Sequence, residues 1–219
     1  MSYITLVRHG QANTDARDEI SYDRLSDLGV QQARWLGEHL AHTGEYFPRL
    51  YSGTLQRHRE TAASIALAGH SEPQIDPRFN EMEFFTLATL YRDQRGVPVP
   101  EDREDFTDHL PRLFGAWKAG EIENPPETFD AFEARVRDAL EVVGAGEGRA
   151  LIVTSGGVIG MAMRITLGLD LLGYARACLA VENTSLSRWL PLRGSLALTQ
   201  FNALPHLEHP DRHFARTHL

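Results

Sequence analysis

The sequence predicts an α/β protein: a three-layer α/β/α sandwich with a mostly parallel sheet and a helical insertion. Three observations carry this expectation. Short β-rich apolar runs, Tyr3-Ile4-Thr5-Leu6-Val7 and Ala150-Leu151-Ile152-Val153-Thr154, read as strands buried on both faces. Segments with helical spacing of apolar residues alternate with such runs, which is the signature of a sheet covered by helices. The middle of the chain, about 77–148, is richer in charge and aromatics and reads as helical, so it is expected to insert over one end of the sheet. With 219 residues, 42% hydrophobic and 24% charged, the chain fits one domain, 1–219, with that insertion, and is not a disordered chain.

Each element has its own signal. The first strand stops at Arg8-His9-Gly10, and a polar loop, Gln11 to Arg24, follows. Ser26 is an expected N-cap for a helix whose Leu25, Leu28, Ala33, Leu36 and Leu40 share one face. Arg49-Leu50-Tyr51 reads as a second strand. Thr54 is a candidate N-cap for a helix from Leu55 to Leu67, with Leu55, Ala62, Ile65 and Ala66 inward. A short third strand is expected near Gln74-Ile75-Asp76. Phe106, Leu110, Leu113, Phe114 and Trp117 repeat at helical spacing, although Pro111 interrupts the pattern. Phe129, Phe132, Val136, Leu140 and Val143 do the same after the Pro125-Pro126 break. Ser155-Gly156-Gly157 turns the Ala150 strand into an apolar helix, Val158 to Leu167. Further strands are expected near Cys178-Leu179-Ala180-Val181, Leu186 to Leu190 and Leu196 to Phe201, with an irregular tail from Pro205.

Charge and cysteine content narrow the function. The formal net charge of −8 argues against a nucleic-acid or anionic-membrane binder, which would carry a basic face. No stretch approaches the roughly 20 apolar residues of a membrane span. The start of the chain shows no basic-then-apolar leader pattern. The single cysteine, Cys178, cannot form an intrachain disulfide and fits a cytoplasmic protein. His206, His209, His213 and His218 lie in the tail at irregular spacing without a ligand pattern, so no metal or other cofactor is expected. His39, His42, His58, His70 and His109 read as surface residues. The sequence carries no signal of oligomeric state.

Three strand-to-helix junctions hold the residues with chemistry. In an open α/β sheet ligands bind beyond the carboxyl ends of the strands, so Arg8, His9, Arg57 and Ser155 are expected on one edge. Helix N-termini add backbone amides there. Two guanidiniums, an imidazole and a hydroxyl suit a phosphate group, which arginine binds bidentately. The alternative is that Arg8 pairs with a carboxylate and His9 caps a turn.

Leu6-Val7-Arg8-His9-Gly10-Gln11 resembles the signature of the histidine phosphatase superfamily, the phosphoglycerate mutase-like proteins. Leu25-Ser26-Asp27-Leu28-Gly29, Ser52 to Arg57 with Glu60-Thr61-Ala62, Phe79 to Phe84, and Asn183-Thr184-Ser185 resemble later family segments in order. The resemblance implies that His9 attacks phosphorus and becomes a phosphohistidine. It implies that Arg8 and Arg57 hold the non-bridging oxygens; Ser155 and the amides of Gly156 and Gly157 are expected beside them from their place at the strand-to-helix junction. Glu81 would be the proton donor, with Glu83 as the second candidate. The implied activity is hydrolysis of a small phosphorylated metabolite, with mutase-type phosphoryl transfer as the same-chemistry alternative. The chain departs from the pattern twice. Ser155 stands where the family usually has a second histidine, and Phe85 stands where many family phosphatases have glycine. The first departure keeps open a weakly active or non-catalytic phosphate-binding protein. A serine hydrolase using Ser155 is the remaining alternative, but the turn lacks the leading glycine of a G-x-S-x-G elbow. Gln11, Asn13 and Arg59 are candidates for the pocket mouth. Phe84, Phe85, Tyr91, Phe106, Phe114 and Trp117 are candidates for pocket wall or core.

Overall fold

The computed structural model describes residues 3–66, 72–100 and 103–218. Along the chain the elements are β1 (Ile4–Arg8), α1 (Glu19–Tyr22), α2 (Asp27–His42), β2 (Arg49–Ser52), α3 (Gln56–Ala66) and β3 (Gln74–Ile75). Then come α4 (Phe84–Arg95), α5 (Arg103–Lys118), α6 (Phe129–Ala145), β4 (Ala150–Thr154), α7 (Gly156–Leu167) and α8 (Leu171–Ala180). The hairpin β5 (Leu186–Leu192) and β6 (Ser195–Ala203) is followed by 3₁₀ turns at Pro205–Leu207 and Pro210–Ala215. The six strands lie in the order β3-β2-β4-β1-β5-β6. The first four are parallel, β5 runs antiparallel to β1, and β6 runs antiparallel to β5.

Alternation along the strands sorts the two helical layers. Val7, Leu50, Leu151 and Val153 face α2 and α3, packing on Leu36, Leu40, Ala62 and Ile65. Ile4, Leu6, Ala150 and Ile152 point to the opposite face, with Val136, Leu140, Val158 and Ile159 from α6 and α7. All five residues of both β1 and β4 are buried, which is why these runs are apolar without alternating polarity. Ser26 caps α2 by accepting from the Gly29 amide at 3.0 Å. Within 77–148, α6 lies against the sheet as one of its covering helices, while α4 and α5 pack beyond it. The ring of Phe114 on α5 stacks on Tyr174 of α8 at 4.5 Å. The helix continues through Pro111, because burial of Leu110, Leu113, Phe114 and Trp117 outweighs one lost backbone bond.

Three expectations are corrected. The run Cys178-Leu179-Ala180-Val181 is not a strand; its first three residues close α8, and Val181 follows as the C-cap. A short apolar run is ambiguous by periodicity alone. Here Asp170 decides, because its carboxylate accepts from the Gly173 amide at 2.7 Å and starts a helix that buries Tyr174, Ala175 and Ala177. Thr54 does not cap α3. The Asp23 carboxylate takes the amides of Gln56 and Arg57, at 2.9 and 3.2 Å, while Thr54 Oγ1 accepts from Asn80. His58 and His109 are buried, not on the surface. His70 lies outside the described residues.

Candidate active site

Strand register assembles the site. Arg8 pairs with Thr154 and Ser52 with Val153, so β1, β2 and β4 end within a residue of one another. The chain leaves β1 at His9, whose amide donates to Thr154 O at 2.8 Å. His9 is 1% exposed. Its Nδ1 lies 2.7 Å from Gly10 O, an acceptor only, so Nδ1 carries the proton and Nε2 keeps its lone pair. Burial above all, then the charges of Arg57 and Arg8, hold His9 well below the usual histidine pKa of 6.5.

The two arginines are anchored at one end and open at the other. Arg8 Nη1 donates to the carbonyl oxygens of Val181 and His218, at 2.5 and 2.6 Å. Arg57 Nη1 pairs with Asp23 at 3.0 Å, and its guanidinium lies over the Tyr22 ring at 4.9 Å. Both are buried, and Nε of each finds no hydrogen-bond partner among the described residues. A buried donor without a partner is costly to leave unmet.

Glu81 closes the same wall. Its loop is held by Thr154 Oγ1, which donates to Phe79 O at 2.7 Å, and by Arg135 of α6, which donates to the carbonyls of Arg78 and Asn80 at 2.8 Å. The carboxylate accepts from the Gly157 amide at 2.8 Å in the first turn of α7. A Cβ at residue 157 would come within 2.2 Å of Glu81 Oε1, so this approach requires glycine. Burial raises the Glu81 pKa above the carboxylate value of 4.5, against the opposing pull of the Gly157 amide and Arg57. Glu83 is exposed at the start of α4 and bonds Thr86 Oγ1 at 3.2 Å.

Arg8, His9, Arg57, Glu81, Ser155 and Gly156 all line one cavity of about 480 Å³. Its outer wall is aromatic and aliphatic, with Phe84, Phe85, Phe106, Leu110 and Phe114. Gln11 and Asn13 reach the lining, whereas Arg59 is exposed and Trp117 belongs to the core. Sequence reasoning missed Tyr22, Asp23 and Glu19. Glu19 also lines the cavity, and it accepts from the Phe85 amide at 2.8 Å. It missed His58 as well, although that residue stands four before Ala62 and seven before Ile65, on the inward face of α3. Among the described residues, no cluster of three or more His, Cys, Asp or Glu is arranged to hold a metal ion, and no helix is long and apolar enough to cross a membrane.

A doubly covered, largely parallel sheet with an imidazole, two guanidiniums and a helix N-terminus at its carboxyl edge has the architecture of an α/β phosphate-handling protein. The chain belongs to the histidine phosphatase superfamily (branch 1), whose family model matches residues 4–203. It is 28% identical over 194 residues to the probable phosphoglycerate mutase GpmB of Escherichia fergusonii, covering 86% of this chain and 84% of that protein. Phosphoserine phosphatase of Entamoeba histolytica, solved with phosphoserine, shares the fold with a TM-score of 0.66 at 20% identity, over 94% of this chain and all of that one. Phosphoglycerate mutase of Bacillus anthracis has a TM-score of 0.67 at 20% identity, over 94% of each chain. A phosphatase and a mutase thus both stand among the proteins that share its fold.

Proposed function

We propose that the protein is a phosphomonoester hydrolase that works through a phosphohistidine at His9. The observation that carries this reading is the Nδ1 contact to Gly10 O, which leaves Nε2 unprotonated in a cavity shared with Arg8 and Arg57. Nε2 attacks phosphorus while the bond to the leaving oxygen breaks, and Glu81 gives that oxygen its proton. Water then attacks phosphorus, its proton passes to Glu81, and the P–N bond breaks to release inorganic phosphate and neutral His9. Arg8 and Arg57 meet the negative charge on the non-bridging oxygens, with Ser155 and Gly156 beside them. Because the guanidiniums do this work, EDTA should leave the rate unchanged; a loss restored by a divalent cation would count against the scheme.

Hydrolysis is favoured over mutase transfer by the lining. Among the described residues, Arg8 and Arg57 are the lysine or arginine side chains that line the cavity, beside His9. A substrate carrying a second anionic group would meet Glu19 and aromatic rings instead. The reading is therefore a small phosphorylated metabolite with an uncharged leaving group, seated under α4 and α5 within one domain that carries the 77–148 insertion. The lone thiol of Cys178 is consistent with a cytoplasmic setting. The test is a screen of phosphorylated metabolites with inorganic phosphate release as one readout and isomerisation of 3-phosphoglycerate as the other. Isomerisation faster than phosphate release would make the protein a mutase.

Glu81→Gln should lower turnover of alkyl phosphates by about 10²–10⁴-fold and of activated aryl phosphates far less. Equal losses for both would remove the general-acid role from Glu81.

A further inference from the structure

Ser155 occupies the place where the resemblance leads one to expect a second histidine, yet an imidazole is present there from another element. His58, the neighbour of Arg57 on α3, is fully buried, and its Nε2 lies 2.6 Å from Ser155 Oγ. Its ring centroid is 5.6 Å from that of His9. Ser155 lines the cavity and His58 stands behind it. The ring fits because residue 53 is glycine: a Cβ there would come within 2.3 Å of His58 Nδ1.

The hydrogen-bond pattern sets the direction of this contact. His58 Nδ1 is buried and has no partner among the described residues. An orphaned buried N–H is rarer in proteins than an orphaned acceptor, so the proton belongs on Nε2, which donates to Ser155 Oγ. Burial, and after it the charge of Arg57, keeps the ring neutral by holding its pKa well below 6.5. Ser155 Oγ makes no capping bond to α7. Its single proton therefore remains for an oxygen in the cavity, beside Arg8 and His9.

We infer that His58 and Ser155 act as one unit in place of the second histidine, with His58 fixing Ser155 as a hydrogen-bond donor to a phosphoryl oxygen. Ser155 touches the substrate and His58 is a positioning residue. The unit supplies one neutral, polarised hydrogen bond where a protonated histidine would supply a charge. Gly53, His58 and Ser155 are thus a single structural choice made on three elements of the chain. The inference rests on the phosphate-handling reading of the cavity and on no particular substrate.

A double-mutant cycle on the purified protein tests it, with Ser155→Ala, His58→Leu and both together. Two readouts are used: turnover of an aryl phosphate and affinity for inorganic phosphate by calorimetry. Each single change should lower kcat or phosphate affinity by about tenfold, and the double variant should be no worse than either single. His58→Gln, whose amide can donate where Nε2 does, should recover most of what His58→Leu loses. Multiplying losses, or failure of His58→Gln to recover more than thermal stability, would reduce His58 to a packing residue. Labelling of Ser155 by a fluorophosphonate would show the opposite proton direction and overturn the inference. The phosphohistidine reading fails separately: a protein with no acid-labile phosphoenzyme but with coupled phosphate affinity would lose the hydrolase proposal and keep this one.

Discussion

Replacement of His9 by alanine should lower phosphatase turnover by on the order of a thousandfold or more and remove the phosphoenzyme. Incubation of the unaltered protein with a labelled phosphoester should give an acid-labile, base-stable adduct on this residue. The expectation follows from local geometry. The Nδ1–H is committed to Gly10 O, and Nε2 remains the basic nitrogen beside two buried guanidiniums. The same surroundings hold His9 neutral, because its pKa lies well below 6.5. Glu81, with its pKa raised, keeps its proton further into the range where carboxylates normally lose it. The rate should therefore persist on the acid side, where His9 stays unprotonated, and decline on the alkaline side as Glu81 ionises. Turnover of His9→Ala at the unaltered rate, or an adduct on another residue, would sink the phosphohistidine mechanism.

Stability should move in the opposite direction. His9, His58 and His206 are buried and held below the ordinary histidine value of 6.5, His206 at about 3. Between each folded value and 6.5 the unfolded chain binds a proton that the folded chain refuses, so stability falls as pH falls below 6.5. His206 alone contributes roughly 1 kcal/mol per pH unit between 6.5 and its folded value, and His9 and His58 act in the same direction. Glu81 and Glu19, with raised values, bind protons more readily in the folded state and offset part of this nearer their own range. Total stability is typically about 5–15 kcal/mol, so a loss of even a few kcal/mol on acidification is felt. Thermal unfolding from pH 7 to pH 5 should show a steep fall in Tm, made shallower by His206→Leu; a flat profile would contradict the burial of neutral imidazoles. Acid thus favours the proposed proton donor and disfavours the fold that holds it.

Much of the fold could be read from the chain because β1 and β4 are buried on both sides and end on small, polar turns. That single circumstance marks both the strands and the edge where Arg8, His9 and Ser155 gather. Arg57 was visible through its place in the first turn of the next helix. The rest was hidden for definable reasons. The end of α8 is a short apolar run that suits either state, and its decision lies eight residues earlier, at Asp170. Asp23 holds Arg57 across 34 residues of sequence, and nothing local marks a loop aspartate for that task. His58 was legible in principle from its spacing to Ala62 and Ile65. Its polarity points outward while its periodicity points inward, and in a buried neutral histidine periodicity prevails.

The grip on Arg8 gives the site an unusual sensitivity. One of its two carbonyl partners belongs to His218, 210 positions away along the chain. The segment leading there is fastened by Gln32, which donates to Ala215 O at 2.6 Å and to Thr217 Oγ1 at 2.9 Å, and by the Asn183 amide, which donates to Thr217 O at 2.8 Å. These bonds, with the Arg216–Glu182 ion pair at 2.8 Å and the small cluster of Leu204, Leu207 and Ala215, lie outside the sheet and its two main hydrophobic layers, so their local opening is governed by a smaller free energy than global unfolding. Fraying of this strap would leave the Arg8 guanidinium held by Val181 O alone while every strand stayed paired. Affinity for anions is thereby a more delicate reporter of native order than any spectroscopic signature of the sheet.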